Sequence, residues 1–267
     1  MQFFDGCTAL ITGASSGFGR EFARQLAPYA GTIILAARRA DRLEKLKAEL
    51  EREGLTIHCH VVDLADEAQT EKFLASLAAS GDRVSFLINN AGCGDHGLFE
   101  DSEWKRVKAM LDVNITALTR LTHALLPDLV RSRRGAILNV SSIASLIPVP
   151  KLTVYAATKA YVTSFTEGIR AEVRGTGVTV TAVCPGPVDT EFFEIAERPQ
   201  GEPAPAPAIM KVTPQQVVRE ALDAVARDRA RVIPGWVVWA MMSVTALVPI
   251  FVLRTFLNLR GRNFKGH

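Results

Sequence analysis

Thr12-Gly13-Ala14-Ser15-Ser16-Gly17-Phe18-Gly19 decides the reading of this chain. It follows an apolar run at 7–12 that reads as a strand and precedes 21–26, which reads as a helix. Gly13, Gly17 and Gly19 permit a tight turn and a close backbone approach. A pyrophosphate can then sit on the helix N-terminus, with Ser15, Ser16 and Phe18 around it. The spacing is GxxxGxG, not the GxGxxG of other dinucleotide folds. Because glycines also serve plain turn geometry, the turn takes its meaning from the rest of the chain.

Outward from that turn, short β-branched runs at 32–37, 57–62, 86–89, 136–140 and 178–183 alternate with helical stretches at 41–53, 67–80, 103–131 and 154–174. The alternation predicts an α/β fold: a doubly wound parallel β-sheet with helices on both faces and ligands at the carboxyl ends of the strands. No linker interrupts it before residue 190, so one domain is expected. Residues 191–212 hold Pro199, Pro203, Pro205 and Pro207 and predict an irregular segment acting as a mobile substrate lid. Thr213-Pro214-Gln215-Gln216 restarts a helix through a capping box, and 231–234 offers a last strand. The catalytic domain is thus expected over 1–235, with an apolar, then basic, helical tail over 236–267.

Composition narrows the functional classes. Of 267 residues, 48% are hydrophobic and 22% charged, which suits a globular chain and excludes disorder. Thirty-one basic against 28 acidic residues leave a formal charge of +3, too small a surplus for a nucleic-acid partner. Cys7, Cys59, Cys93 and Cys184 contain no CxxC pair, so neither a disulfide framework nor a zinc site is expected. His58-Cys59-His60 resembles a metal cluster, but strand alternation sets Cys59 opposite both histidines, and we read it as structural. The first residues lack the basic start and apolar run of a signal peptide, which predicts a cytoplasmic protein.

The mean hydropathy of +0.14 is high for such a protein, and much of it comes from the tail. From Val232 to Leu253 no residue is charged. Once 232–235 complete the strand and turn, 236–253 falls short of the ~20 residues that a spanning helix needs, and Pro249 interrupts it. Three readings stand: a cover over the substrate pocket or a dimer partner, a helix on a membrane surface helped by Arg254, Arg260, Arg262 and Lys265, or a true span.

Two further signals carry chemistry. About twenty residues past Gly19, where an NAD site wants an acid for the ribose hydroxyls, stand Arg38 and Arg39, which suit a 2′-phosphate. The plain alternative is a solvated pair opening a helix. Tyr155 and Lys159, four apart, share one helix face, where an ammonium lowers a phenol's pKa by stabilising phenolate. Ser142, thirteen residues before the tyrosine and just past a strand, can bond a substrate carbonyl. Only that spacing selects it over Ser141. An isolated Tyr-x-x-x-Lys is more often an exposed helical pair, so its weight comes from the combination.

That combination resembles the short-chain dehydrogenase/reductase family. It is carried by Thr12–Gly19, Asn89-Asn90-Ala91-Gly92, Ser142 with Tyr155 and Lys159, and Pro185-Gly186, in order, over about 7–234. Asn114 matches the family's helix asparagine and Asp63 its adenine-holding acid. Phe18 and Ala117 are small departures, where isoleucine or leucine and glycine are usual. The resemblance implies a Rossmann-type sheet, NADP(H) as cofactor and hydride transfer between it and a carbonyl or secondary alcohol. Tyr155 then exchanges the proton, Lys159 tunes it and holds the nicotinamide ribose, Ser142 orients the substrate oxygen, and Asn114 holds a water. Asp63 and Leu64 lie at the adenine, Asn90, Ala91 and Gly92 line the cofactor, and Pro185, Gly186, Val188 and Thr190 pack near the nicotinamide. The expected partner is an apolar ketone or alcohol, in a homodimer or homotetramer. Cys93 reads as a small buried thiol. The rival readings are an epimerase or dehydratase using the same pair, and a dinucleotide-sensing regulator without turnover.

Overall fold

The structure is a computed structural model that describes residues 2–188, 191–196, 209, 211–249 and 251–255. The apolar runs become β1 (Thr8–Thr12), β2 (Thr32–Ala37), β3 (Thr56–Val61), β4 (Phe86–Asn89), β5 (Gly135–Val140), β6 (Val178–Val183) and a short β7 (Arg231–Val232). They pair in parallel in the order β3-β2-β1-β4-β5-β6-β7. β4, β5 and β6 are buried end to end, which is why they read as mostly apolar, β-branched runs without polar alternation. The chain leaves β1 for β2 and β3 and returns to β4 on the other side of β1. That reversal opens a crevice at the carboxyl ends.

Helices α1 (Gly17–Leu26), α2 (Ala40–Leu50), α3 (Glu67–Ser80), α4 (Trp104–Leu111), α5 (Leu118–Ser132), α6 (Thr153–Glu172), α7 (Glu191–Ala196), α8 (Pro214–Ala226) and α9 (Trp236–Ala246) complete the described elements. Successive strand residues enter opposite cores, as a period of two requires. Ile11 and Leu35 pack with Phe22, Leu43, Val217 and Leu222 from α1, α2 and α8. Leu10 and Ile34 pack with Phe73, Leu121 and Leu129 from α3 and α5. The result is a single Rossmann-like domain with helices on both faces. The side chain of Thr213 accepts a hydrogen bond from Gln216 N at 3.2 Å, with Pro214 in the first turn, as the capping signal predicts.

Three expectations are corrected. The helix expected over 103–131 is α4 and α5 joined by a π-helical turn, Asp112–Ala117, whose wider winding points Asn114 inward. The segment 191–212 was read as irregular, yet it opens with α7, because its prolines begin only at Pro199 and leave Glu191–Ala196 free to wind. The rest of that segment up to 208, and residue 210, lie outside the described residues. The apolar tail is no continuous helix: α9 ends at Ala246, and a second helical stretch, 251–255, starts beyond Pro249. Eleven residues span about 16 Å against the ~30 Å of a bilayer core. No helix among the described residues is long and apolar enough to cross a membrane.

Candidate active site

The glycine-rich turn is held open by contacts that admit no side chain. A Cβ on Gly19 would stand 2.3 Å from the Gly13 carbonyl oxygen, and one on Gly13, where φ is +65°, would meet the Ala91 Cα at 2.9 Å. Thr12 and Asn90 tie the turn to β4. The Asn90 and Ala91 N–H groups each donate to Thr12 Oγ1 at 3.0 Å, and Asn90 Nδ2 donates to the Thr12 carbonyl at 2.8 Å. At the start of α1, Ser16 makes no side-chain cap, so the first N–H groups of the helix point into the crevice without one. This cradle fits a pyrophosphate.

Around it the expected cofactor residues gather at the strand ends. Gly13 to Gly19 follow β1, Arg38 and Arg39 follow β2, Asp63 and Leu64 follow β3, Asn90 to Gly92 follow β4, and Pro185, Gly186 and Val188 follow β6. Thr190 lies outside the described residues. Arg39 reaches the turn: its Nε and Nη2 donate to Ser15 Oγ at 3.3 and 3.2 Å. Arg38 is exposed. Asp63 Oδ1 accepts from the Ala65 N–H at 3.0 Å, which fixes the turn after β3.

α6 places Tyr155 and Lys159 side by side, both buried. Burial pushes the Tyr155 phenol up to about 12, with a Ser142 hydrogen bond pulling the other way. Burial also lowers Lys159 to about 8. The expected lowering of the phenol by the lysine does not prevail in this closed arrangement. Lys159 Nζ lies 5.8 Å from the Tyr155 ring centre and donates to the Val140 carbonyl at 2.8 Å. Ser142 Oγ accepts from the Ala144 N–H at 3.1 Å, which caps the short turn after β5. Ser141 is otherwise engaged: its hydroxyl donates to the Lys159 carbonyl at 2.9 Å in a buried chain with Thr163. The geometry therefore separates two serines that sequence separates only by spacing.

Asn114, turned inward by the π-helical turn, clamps the loop after β4. Its Oδ1 accepts from the Cys93 N–H at 3.0 Å, and its Nδ2 donates to the Cys93 carbonyl at 2.9 Å and to Thr158 Oγ1 at 3.0 Å. Cys93 is pushed up to about 11 by burial, which leaves it a neutral thiol. His58 and His60 stay with their strand, His58 Nε2 3.4 Å from Asp82 and His60 against Phe73. Among the described residues no cluster of His, Cys, Asp or Glu offers three metal ligands.

Sequence reasoning missed three participants and covered a fourth, Phe192, only as part of the segment 191–212. Thr158 steadies Asn114, Val107 and Met110 of α4 join the apolar group around Tyr155, and Phe192 of α7 stacks obliquely on the Tyr155 ring with centroids 5.4 Å apart. Thr158 sits inside the Tyr155-to-Lys159 stretch of α6 without a chemical signal of its own, while Val107 and Met110 come from α4 and Phe192 from α7, at no recognisable spacing from the motifs. A cavity of about 670 Å³ sits at the opposite, amino end of the strands, lined by residues including Phe4, Cys7, Arg83 and Arg134, and shares no residue with this site.

Comparison with known proteins agrees with this geometry. The family model described as short chain dehydrogenase matches residues 7–200. Sulfoacetaldehyde reductase 2 of Chromohalobacter salexigens is 39% identical over 206 residues, 76% of this chain and 81% of that protein. The human very-long-chain 3-oxoacyl-CoA reductase is 30% identical over 97% of this chain and 81% of its own length. A short-chain dehydrogenase from Sphingobium yanoikuyae in complex with NADPH superposes with a TM-score of 0.79 at 30% identity, covering 94% of both chains. The chain belongs to the short-chain dehydrogenase family and is an oxidoreductase that moves hydride between NADP(H) and a carbonyl or alcohol group.

Proposed function

We propose that this enzyme reduces an apolar ketone, or oxidises the matching alcohol, with Tyr155 as the proton donor or acceptor. The observation that carries the substrate class is the lining of the tyrosine. Val107, Met110, Ala144 and Ala156 are buried with it, and Cys93, Val149, Leu152, Val154 and Phe192 pack around them. A sugar or a charged acid finds few partners there. The relatives' names run from sulfoacetaldehyde to a very-long-chain 3-oxoacyl-CoA, so the lining, not the relatives, supports this choice.

In the proposed mechanism the bound nicotinamide supplies or accepts the hydride. Ser142 Oγ orients the substrate oxygen and Tyr155 Oη passes it the proton in reduction. Lys159 holds positive charge beside the phenol and bonds the ribose. Asn114 keeps the Cys93 loop and α6 in register and carries a water toward Lys159. NADPH oxidation followed against ketones of increasing chain length and ring size tests this. Activity should rise with apolar size, and preference for a charged aldehyde overturns the substrate class. An epimerase or dehydratase predicts no net NADPH consumption.

Arg38 and Arg39 are proposed to select the 2′-phosphate. A charge-assisted bond of this kind contributes about 1.5–3 kcal/mol, or roughly tenfold or more in preference. Replacing either by aspartate should move kcat/KM toward NADH. Equal values for NADH and NADPH in the unaltered enzyme reject the assignment.

We further propose a cytoplasmic catalytic domain over 1–235 and a docking tail over 236–267. α9 buries Val238 and Met242 but exposes Trp236 at 80% and Trp239 at 57%, and Leu247 just past its end is 84% exposed. Among the described residues, the apolar group around Tyr155 includes none from α9. The exposed ring supports a cover from outside: a second copy in a homodimer or homotetramer, or an anionic membrane surface. Full-length protein spun with and without anionic liposomes, beside its mass in solution, separates these. A monomer indifferent to liposomes removes both.

A further inference from the structure

α7 carries two contacts that join distant parts of the crevice. At its first residue, the Glu191 carboxylate accepts from Arg42 Nη1 at 2.8 Å through both oxygens and from Arg39 Nη1 at 3.1 Å. Arg39 also bonds Ser15 of the glycine-rich turn. One residue on, Phe192 covers the Tyr155 ring, and its Cζ lies 2.9 Å from where a Cβ on Gly94 would stand. At the far end the Ala196 carbonyl accepts from the His96 N–H at 2.9 Å. The arginine pair holds the Glu191 carboxyl below the usual carboxylate range. The helix is therefore pinned at one end by the arginines and at the other by the loop after β4, with the aromatic ring closing the tyrosine between them.

Two guanidinium groups and a hydroxyl beside the glycine-rich turn are a phosphate's donor set, and here a carboxylate fills it. We propose that Glu191 is a built-in competitor for the cofactor's 2′-phosphate, and that a 2′-phosphorylated nucleotide frees the start of α7 and so uncovers Tyr155. The inference rests on the reading of Arg39 as a 2′-phosphate ligand and adds Arg42 to it. The exchange is feasible because the Arg39, Arg42 and Glu191 side chains are each more than a third exposed, at 34%, 38% and 38%. Such pairs hold weakly, whereas a phosphate brings up to two charges and three acceptor oxygens. A nucleotide without the 2′-phosphate has no group to replace the carboxylate and leaves α7 in place. The device thus couples cofactor choice to substrate access through one helix.

The test uses the full chain, unaltered and as Glu191→Gln, titrated calorimetrically with adenosine 2′,5′-bisphosphate and with 5′-AMP. The glutamine variant should bind the bisphosphate about threefold to tenfold more tightly, as loss of a weakly held competing pair implies. Its affinity for 5′-AMP should not change, which separates this effect from a general gain in anion binding. Maleimide labelling of Cys93, located by mass spectrometry, reports the cover, because Cys93 packs in the group that Phe192 closes. In the unaltered chain the bisphosphate should speed labelling several-fold and 5′-AMP should not. In Glu191→Gln labelling should be fast without nucleotide. If the unaltered chain does not distinguish the two nucleotides, the 2′-phosphate reading itself fails and the inference with it. If it distinguishes them but Glu191→Gln binds the bisphosphate no better, or Cys93 labelling ignores it, the latch alone is overturned.

Discussion

Tyr155→Phe should lower turnover by about 10²–10⁴-fold, the range for a positioned general acid or base, while NADPH still binds. The change removes one oxygen and leaves the ring, which packs against Phe192 and within the apolar group of Val107, Met110 and Ala156, so the fold has no reason to shift. The phenol held up at about 12 is fully protonated at neutral pH. In reduction it is thus ready to donate, and the reductive rate should stay flat from pH 6 to 7, below the titration of both Tyr155 and Lys159. Oxidation needs the phenolate, so its rate should climb as pH rises toward the phenol's pKa. Steady-state kinetics in both directions, with NADPH affinity read by fluorescence, check this. Substantial turnover in Tyr155→Phe removes the tyrosine from the chemistry.

Lys159→Met should remove activity and weaken cofactor binding, yet raise thermal stability. Lys159 is only 4% exposed, and its amine is lowered from an ordinary value near 10.5 to about 8. Holding it charged in the fold is therefore unfavourable by roughly 3 kcal/mol at pH 7, taking 1.36 kcal/mol per pKa unit. Losing its bond to the Val140 carbonyl offsets about 1 kcal/mol of the gain. The sign follows from proton counts. Between pH 8 and about 10.4 the unfolded chain binds the extra proton, so the native enzyme gains stability as pH rises through that window. The advantage of Lys159→Met should then be full below pH 8 and fade toward pH 10.4. Melting curves of both proteins at pH 7 and pH 10 measure it. A methionine variant that melts lower at pH 7 contradicts a strained, functionally retained lysine.

Much of the fold was legible because parallel, doubly covered strands leave a strong local trace. Runs such as 86–89 and 178–183 are mostly apolar or β-branched and buried at every position, because both faces of the sheet are packed. The helix 67–80 is bounded by a capping aspartate and a left-handed glycine, both local signals. The π-helical turn at Asp112–Ala117 was not legible, since nothing in Asp-Val-Asn-Ile-Thr-Ala forces the wider winding. It is drawn out by Asn114 reaching Cys93 and Thr158, partners 21 and 44 residues away. α7 was hidden by the prolines that follow it.

The sequence by itself determined which chemistry is present. The glycine turn, the two arginines, Ser142, Tyr155 and Lys159 are marked by residue type and spacing, Asn114 only by the family resemblance, and the alternation of strands and helices places the turn, the arginines and Ser142 at strand ends. Only the tertiary structure decided how those groups are poised. Ser142 rather than Ser141 faces the tyrosine, because the Ser141 hydroxyl is consumed by Lys159 and Thr163. Burial raises Tyr155 and lowers Lys159, an effect of desolvation that no spacing encodes. Arg39 and Arg42 meet Glu191 across some 150 residues of chain, since β2 and the end of β6 deliver their loops to the same crevice. Spacing fixes which groups share an element; which groups from different elements meet, and how dry the place is where they meet, depends on how the layers close.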